Sequence, residues 1–139
     1  MENRSFYNEI LTEHNLRPAH KHDLADANLA LEGENPSCGD HLWLKLKVED
    51  GVIRDGAFVG EGCAISQASA DIMLDLVIGK ETEEALELAK RFFGMIQGTA
   101  TEMDLEELED AAALQDVAHM PARVKCAVLG WRTLEEGVG

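Results

Sequence analysis

Residues 42–59, LWLKLKVEDGVIRDGAFV, decide the fold. Leu42, Leu44, Leu46 and Val48 recur with the two-residue period of a strand that buries one face. Glu49-Asp50-Gly51 turns the chain, and Asp50-Gly51 between apolar segments is a strong hairpin signal. The second arm runs from Val52 to Val59. Upstream, Ala25, Ala27, Leu29 and Leu31 alternate with Asp26, Asn28, Ala30 and Glu32, which predicts a further strand broken at Gly33-Glu34-Asn35-Pro36. A short helix over 3–14, with Phe6, Ile10 and Leu11 on one side, should end at Arg17-Pro18, because the residue before a proline avoids helical angles.

Downstream the period becomes helical. Ile65, Ala68, Ile72 and Leu76 form one stripe, stopped at Gly79. Thr82 is the expected cap of the next helix, with Leu86, Ala89, Phe92, Phe93 and Ile96 buried and an end near Gly98. The acidic stretch that follows holds a short helix begun by Asp104. Pro121 then opens a last helix carrying Val124, Val128, Trp131 and Leu134. Strands followed by helices, without regular alternation, predict an α+β fold: a small three-stranded antiparallel sheet with helices packed on it. With 139 residues and no linker or internal repeat, the chain reads as a single domain over 1–139.

Twelve Lys plus Arg against 27 Asp plus Glu give a formal net charge of −15. Such a surface repels phosphate backbones and anionic lipids, so no nucleic acid and no membrane are expected as partners. No apolar run approaches the roughly 18–20 residues that span a bilayer, and the first residues carry no signal-peptide core. Three cysteines, an odd number, argue against a disulfide framework and for the reducing cytoplasm.

The cysteines fall at informative places. Cys38 lies in Asn35-Pro36-Ser37-Cys38-Gly39-Asp40, a loop between strands. Cys63 ends Gly60-Glu61-Gly62-Cys63, where hairpin gives way to helix, and Cys126 sits in the first turns of the last helix. Asp40, two residues beyond Cys38, can share a centre with it. Three thiolates and one carboxylate suit four-coordinate zinc, although the spacings match no zinc-finger pattern and a lone cysteine such as Cys126 is often a small buried hydrophobe. Gly60 and Gly62 lack the full phosphate-loop pattern and read as conformational.

Asn35–Asp40, then Gly60-Glu61-Gly62-Cys63-Ala64-Ile65-Ser66-Gln67-Ala68-Ser69-Ala70, then Arg123-Val124-Lys125-Cys126-Ala127 together resemble the NifU/IscU superfamily of iron–sulfur assembly scaffolds. The resemblance implies a three-stranded sheet with packed helices, and Cys38, Asp40, Cys63 and Cys126 as the metal ligands. IscU-type scaffolds place a histidine directly before the third cysteine, but here Lys125 stands, which offers a metal no lone pair at neutral pH. That departure, with the acidic stretch near Gly98–Met120, is similar to the SufU branch of zinc-bound sulfur carriers. The branch implies Zn2+ as cofactor, a SufS-type cysteine desulfurase as partner, and a downstream iron–sulfur assembly scaffold as recipient.

Cys38, in a loop whose side chain can swing, is expected to accept persulfide sulfur, and the resemblance implies the same role. Arg123 and Lys125 are placed to offset the negative site, Arg123 as a supporting residue. His41 is expected to point away from the ligands by strand alternation, His119 is a weak substitute for the missing scaffold histidine, and His14, His20 and His22 are expected on the surface. Two other functions fit the same residues. One is a scaffold that assembles a [2Fe–2S] cluster on Cys38, Asp40, Cys63 and Cys126. The other is a structural zinc module for docking.

Overall fold

The computed structural model describes residues 2–36 and 39–138, with side chains from residue 9 onward. Phe6 therefore lies outside the described side chains, and Cys38 outside the described residues altogether. The chain runs α1 (Glu2–Leu16), β1 (Leu29–Asn35), β2 (Asp40–Glu49), β3 (Val52–Glu61), α2 (Ala64–Val77), α3 (Thr82–Gln97), α4 (Glu102–Leu108), a 3₁₀ segment (Glu109–His119) and α5 (Pro121–Val138). The sheet is antiparallel in the order β1-β2-β3, as expected, with helices on its apolar face.

Leu42, Leu44 and Leu46 point into the core together with Ile53 and Phe58 of β3. Asp50 and Gly51 take φ of 54° and 75°, the pair of left-handed conformations that a two-residue turn between right-twisted strands requires. The first strand differs from the expectation at both ends. It starts at Leu29 because the Asn28 side chain takes the place of a ladder partner: Nδ2 donates to Val48 O at 2.7 Å and Oδ1 accepts from Val48 N at 2.9 Å. It runs through Gly33 to Asn35 because that glycine is a contact rather than a break. A Cβ there would stand 2.1 Å from Thr133 Oγ1 of α5, so only glycine lets helix and strand approach this closely.

Central in the molecule, α2 is buried on almost every side; beyond the expected apolar stripe, Ser66, Gln67, Ser69 and Asp71 are also buried. The Ser69 hydroxyl donates to Ala127 O of α5 at 2.6 Å and ties the two helices together. The helix after it is capped by Glu81 rather than Thr82, whose N–H is already engaged by Gly51 O at 2.9 Å. Its buried stripe is rotated accordingly: Ala85, Leu88, Ala89, Phe92 and Met95 are buried, while Leu86, Phe93 and Ile96 lie half-buried at its edge. Gly98 ends the helix in the left-handed conformation, as expected.

The acidic stretch contributes more to the core than its charge suggests. Thr101, not Asp104, caps α4; Asp104 is its third residue and returns the bond, accepting from Thr101 N at 2.9 Å. Leu108, Ala111, Leu114 and Val117 are then buried while the carboxylates face water. Each buried Leu or Val contributes about 1.5–3 kcal/mol. Finally, α5 begins at Pro121 and stacks Trp131 on Phe92 of α3, ring centroids 4.5 Å apart. No helix among the described residues is long and apolar enough to cross a membrane.

Candidate metal centre

Three elements deliver their chemistry to one end of the sheet. Asp40 is the first residue of β2, Cys63 is the N-cap of α2 just beyond β3, and Cys126 lies in the second turn of α5. One ligand atom from each lies within 4.8 Å of the other two. Asp40 and Cys126 are fully buried and Cys63 is partly exposed. The Cys126 thiol donates a weak bond to Ala122 O at 3.9 Å.

Local sequence explains the convergence. Asp40 Oδ1 accepts from Cys63 N at 2.9 Å, which fixes the start of α2 over the carboxylate. A Cβ at Gly62 would stand 2.6 Å from that same Oδ1 and 2.5 Å from Ser66 Oγ, so the chain can cross the carboxylate only as glycine. Gly60 and Gly62 are thus conformational, as expected. The Ser66 hydroxyl donates to Cys63 O at 3.0 Å and steadies the first turn.

The other carboxylate oxygen, Asp40 Oδ2, is buried and has no hydrogen-bond partner among the described residues. Burying an uncompensated carboxylate costs several kcal/mol. An orphaned anionic oxygen beside two sulfurs is the donor set of a soft or borderline cation, so these residues fit the zinc that the sequence implies.

The remaining candidates separate cleanly. Cys38 is outside the described residues, though the chain places it two residues before Asp40. Arg123 and Lys125 are both exposed in the first turns of α5. His41 points away, as expected: it donates to Glu32 and stacks on Trp43 with ring centroids 4.0 Å apart, on the outer face of the sheet. His119 closes the 3₁₀ segment and is not in the ligand group either.

Two histidines are corrected. His14 and His20 are largely buried rather than on the surface, because they meet a second acidic pair on α2. His14 Nδ1 donates to Asp71 Oδ2 at 2.7 Å, His20 N donates to Asp71 Oδ1 at 2.9 Å, and His20 Nε2 donates to Asp75 Oδ1 at 2.6 Å. His22 is exposed, as expected, and donates to Asp23 O at 2.7 Å. Sequence reading also missed two residues near the cysteines: Asn35 and Gln67 are buried, each with one unpartnered side-chain atom. Their only signal was position, Asn35 within the first motif and Gln67 one turn beyond Cys63.

Residues 6–127 match the family model described as the NifU-like N terminal domain. The chain belongs to that family. Among its curated relatives, the zinc-dependent sulfurtransferase SufU of Bacillus subtilis (strain 168) is 40% identical over 134 residues, covering 96% of this chain and 90% of the relative. The iron-sulfur cluster assembly scaffold protein IscU of Thermotoga maritima is likewise 40% identical, over 97% of this chain and 94% of its own. A crystal structure described as a candidate assembly scaffold protein for the SUF system, from Fervidobacterium islandicum AW-1, superposes with a TM-score of 0.87 at 35% identity over 98% of both chains. This NifU-like chain is thus of the SufU/IscU type, and the sheet-and-helix fold expected from its motifs is the fold of its relatives.

Proposed function

We propose that this protein is a zinc-dependent sulfur carrier in iron–sulfur cluster assembly, which takes persulfide sulfur from a SufS-type cysteine desulfurase and passes it to a downstream assembly scaffold. The whole chain acts as one domain, in the reducing cytoplasm. The observation that carries the reading is Asp40 Oδ2, buried and unpartnered beside the Cys63 and Cys126 thiols. With Cys38, these residues complete a four-ligand set for Zn2+. The name of the Bacillus relative supports the choice of metal, and Lys125 in the position of the scaffold histidine supports the sulfur-carrier branch.

Bound there, zinc would keep the thiols deprotonated and shielded from oxidation. The chain's own residues do the rest. Cys63 and Cys126 are fixed by helices, whereas Cys38 lies in a short connection between strands, so Cys38 is the sulfur acceptor. Its thiolate attacks the terminal sulfur of the donor persulfide; the donor's S–S bond breaks, its cysteine leaves as a thiolate, and the terminal sulfur stays on Cys38 as a new persulfide. Arg123 and Lys125, exposed on the first turns of α5, offset negative charge as the two chains approach.

A second reading, assembly of a [2Fe–2S] cluster on the same ligands, is favoured by the equally similar relatives named as IscU scaffolds. Metal analysis of protein purified from cells separates them. One zinc per chain in a colourless solution, together with sulfur accepted by the wild type and not by Cys38→Ala, is the expected result. Brown protein containing sulfide would favour the scaffold, and a zinc protein that accepts no sulfur would leave only a structural docking module.

A further inference from the structure

The ladder between β1 and β2 runs from Leu29↔Leu46 to Asn35↔Asp40, and β1 ends the sheet. Alternate residues of such an edge strand turn their N–H and C=O groups away from the neighbouring strand. Among the described residues, no backbone hydrogen bond reaches 29–34 from outside the ladder. The opposite edge is partly covered, with Phe58 N donating to His20 O and Ile53 N to Lys80 O, both at 2.9 Å. Where β1 leaves its edge open, a groove of about 710 Å³ lies between residues 32–34, the last turns of α3 and the length of α5. Phe93, Ile96 and Val124 stand half-buried in it, with Val128 buried below. Its charged margin is one-sided: Glu32, Glu34, Glu135 and Glu136 face a single cation, Arg132. All five are exposed; Glu32 accepts from His41, and the other four form no ion pair among the described residues.

We infer that this edge and groove dock an extended, basic segment of a partner protein, which adds a strand to β1 and alternates Lys or Arg with apolar residues. Along β1, Glu32 and Glu34 point outward, whereas Leu31 and Gly33 lie against α5. An added strand in the same pleat presents its side chains in the same two sets. One set lies beside the two carboxylates, and the other enters the groove over Phe93, Val124 and Val128. A second copy of this chain does not fit, because pairing two β1 edges would set glutamate against glutamate, and like charges placed opposite are destabilising. The inference stands on β1, α3 and α5 alone and is independent of which metal the centre holds.

The probe is a capped, fluorescent peptide, Lys-Val-Lys-Val-Lys-Val-Lys, and its anisotropy with the full-length protein is the readout. A net charge of −15 attracts any basic peptide without specificity, so two comparisons separate docking from attraction. Glu32→Lys/Glu34→Lys should weaken binding about tenfold more than Glu83→Lys/Glu87→Lys, which changes the charge equally on exposed residues of α3 outside the groove. With the wild type, strand addition aims every second peptide N–H at β1. Of two peptides, one methylated at the backbone nitrogens of its valines and the other at those of its lysines, one should lose binding and the other keep it. Equal binding of the two methylated peptides, or equal loss in the two charge-reversed proteins, would overturn the inference, as would no measurable binding of the parent peptide.

Discussion

Asp40 and Asp71 are the two buried aspartates of this protein's described core, 0% and 1% exposed, and each stands in a group that could ligate a metal. They differ in one respect. Both oxygens of Asp71 are taken, by His14 Nδ1 and by the His20 amide, so its hydrogen-bonding capacity is met inside the protein. Only one oxygen of Asp40 is taken, by the Cys63 amide. Burial of the two aspartates alone would rank the clusters alike. Satisfaction of the carboxylate separates them: the Asp71 group is a clasp that fastens α1 and the segment after it onto α2, and the Asp40 group is a socket.

The largest test of that contrast exchanges the two aspartates' fates. Asp40→Ala should weaken zinc binding by more than about 100-fold, beyond the usual effect of losing a supporting residue, while Asp71→Ala leaves the affinity unchanged. Chelator competition reads both. Loss of zinc from Asp71→Ala, in a variant whose circular dichroism is native, would erase the distinction.

Stability should divide the other way. Asp71→Ala leaves the His14 ring and the His20 amide without their shared acceptor, and a partly buried donor left unsatisfied costs about 1–3 kcal/mol. In metal-free protein Asp40→Asn should be neutral or stabilise by about 1 kcal/mol, because an uncompensated buried charge is removed. Urea unfolding of both variants without metal gives the two signs.

Metal removal comes next. Ligands drawn from β2, α2 and α5 make zinc binding a property of the folded chain alone, so zinc at 1,000 times its Kd adds about 4 kcal/mol. Stripping it should lower the melting temperature of wild type clearly and that of Asp40→Ala hardly at all. Asp40→Cys sharpens the point from the other side: an all-sulfur site should hold zinc more tightly and stimulate the desulfurase poorly, if lability serves transfer.

The smallest effect belongs to a third, half-buried aspartate. The Thr101 N–H holds the Asp104 carboxyl below its ordinary value of 3.8, with Arg91 adding to the effect. Its stabilising contribution is therefore full above 3.8 and is lost as pH falls through the lower, folded value. Asp104→Asn should flatten that acid limb of the melting temperature and change little near neutrality. A limb as steep as the wild type's would assign it to other carboxylates.

Much of this was legible from local sequence. The Asp50-Gly51 turn, the leucine alternation of β2 and Pro121 at the start of α5 are fixed by neighbours in the chain, and they came out as expected. Features set by distant partners did not. Gly33 reads as a strand breaker until Thr133, on the last helix, is seen against it. His14 and His20 read as solvent-facing because their acceptors lie more than fifty residues away. Thr82 looks like a cap until Gly51 O claims its amide. At the candidate site, Cys63, Asp40 and Cys126 were readable from motif resemblance, but the empty valence of Asp40 Oδ2 and of Asn35 Nδ2 belongs to three-dimensional packing and leaves no trace in composition.

The rung Asn35↔Asp40 also bears on how this lineage can tolerate insertions and deletions. Only Pro36, Ser37, Cys38 and Gly39 separate the two paired residues. Because strand side chains alternate faces, sliding β2 by a single residue would swing Asp40 to the outer surface and carry its neighbour His41 inward. The pleat thus converts an error of length into an exchange of chemistry, carboxylate for imidazole, and simultaneously turns Leu42, Leu44 and Leu46 out to water. Length changes should therefore be tolerated in the largely exposed turn just after Gly98, before α4, long before they are tolerated between Asn35 and Asp40, and an insertion scan scored for soluble expression would map that boundary to the residue.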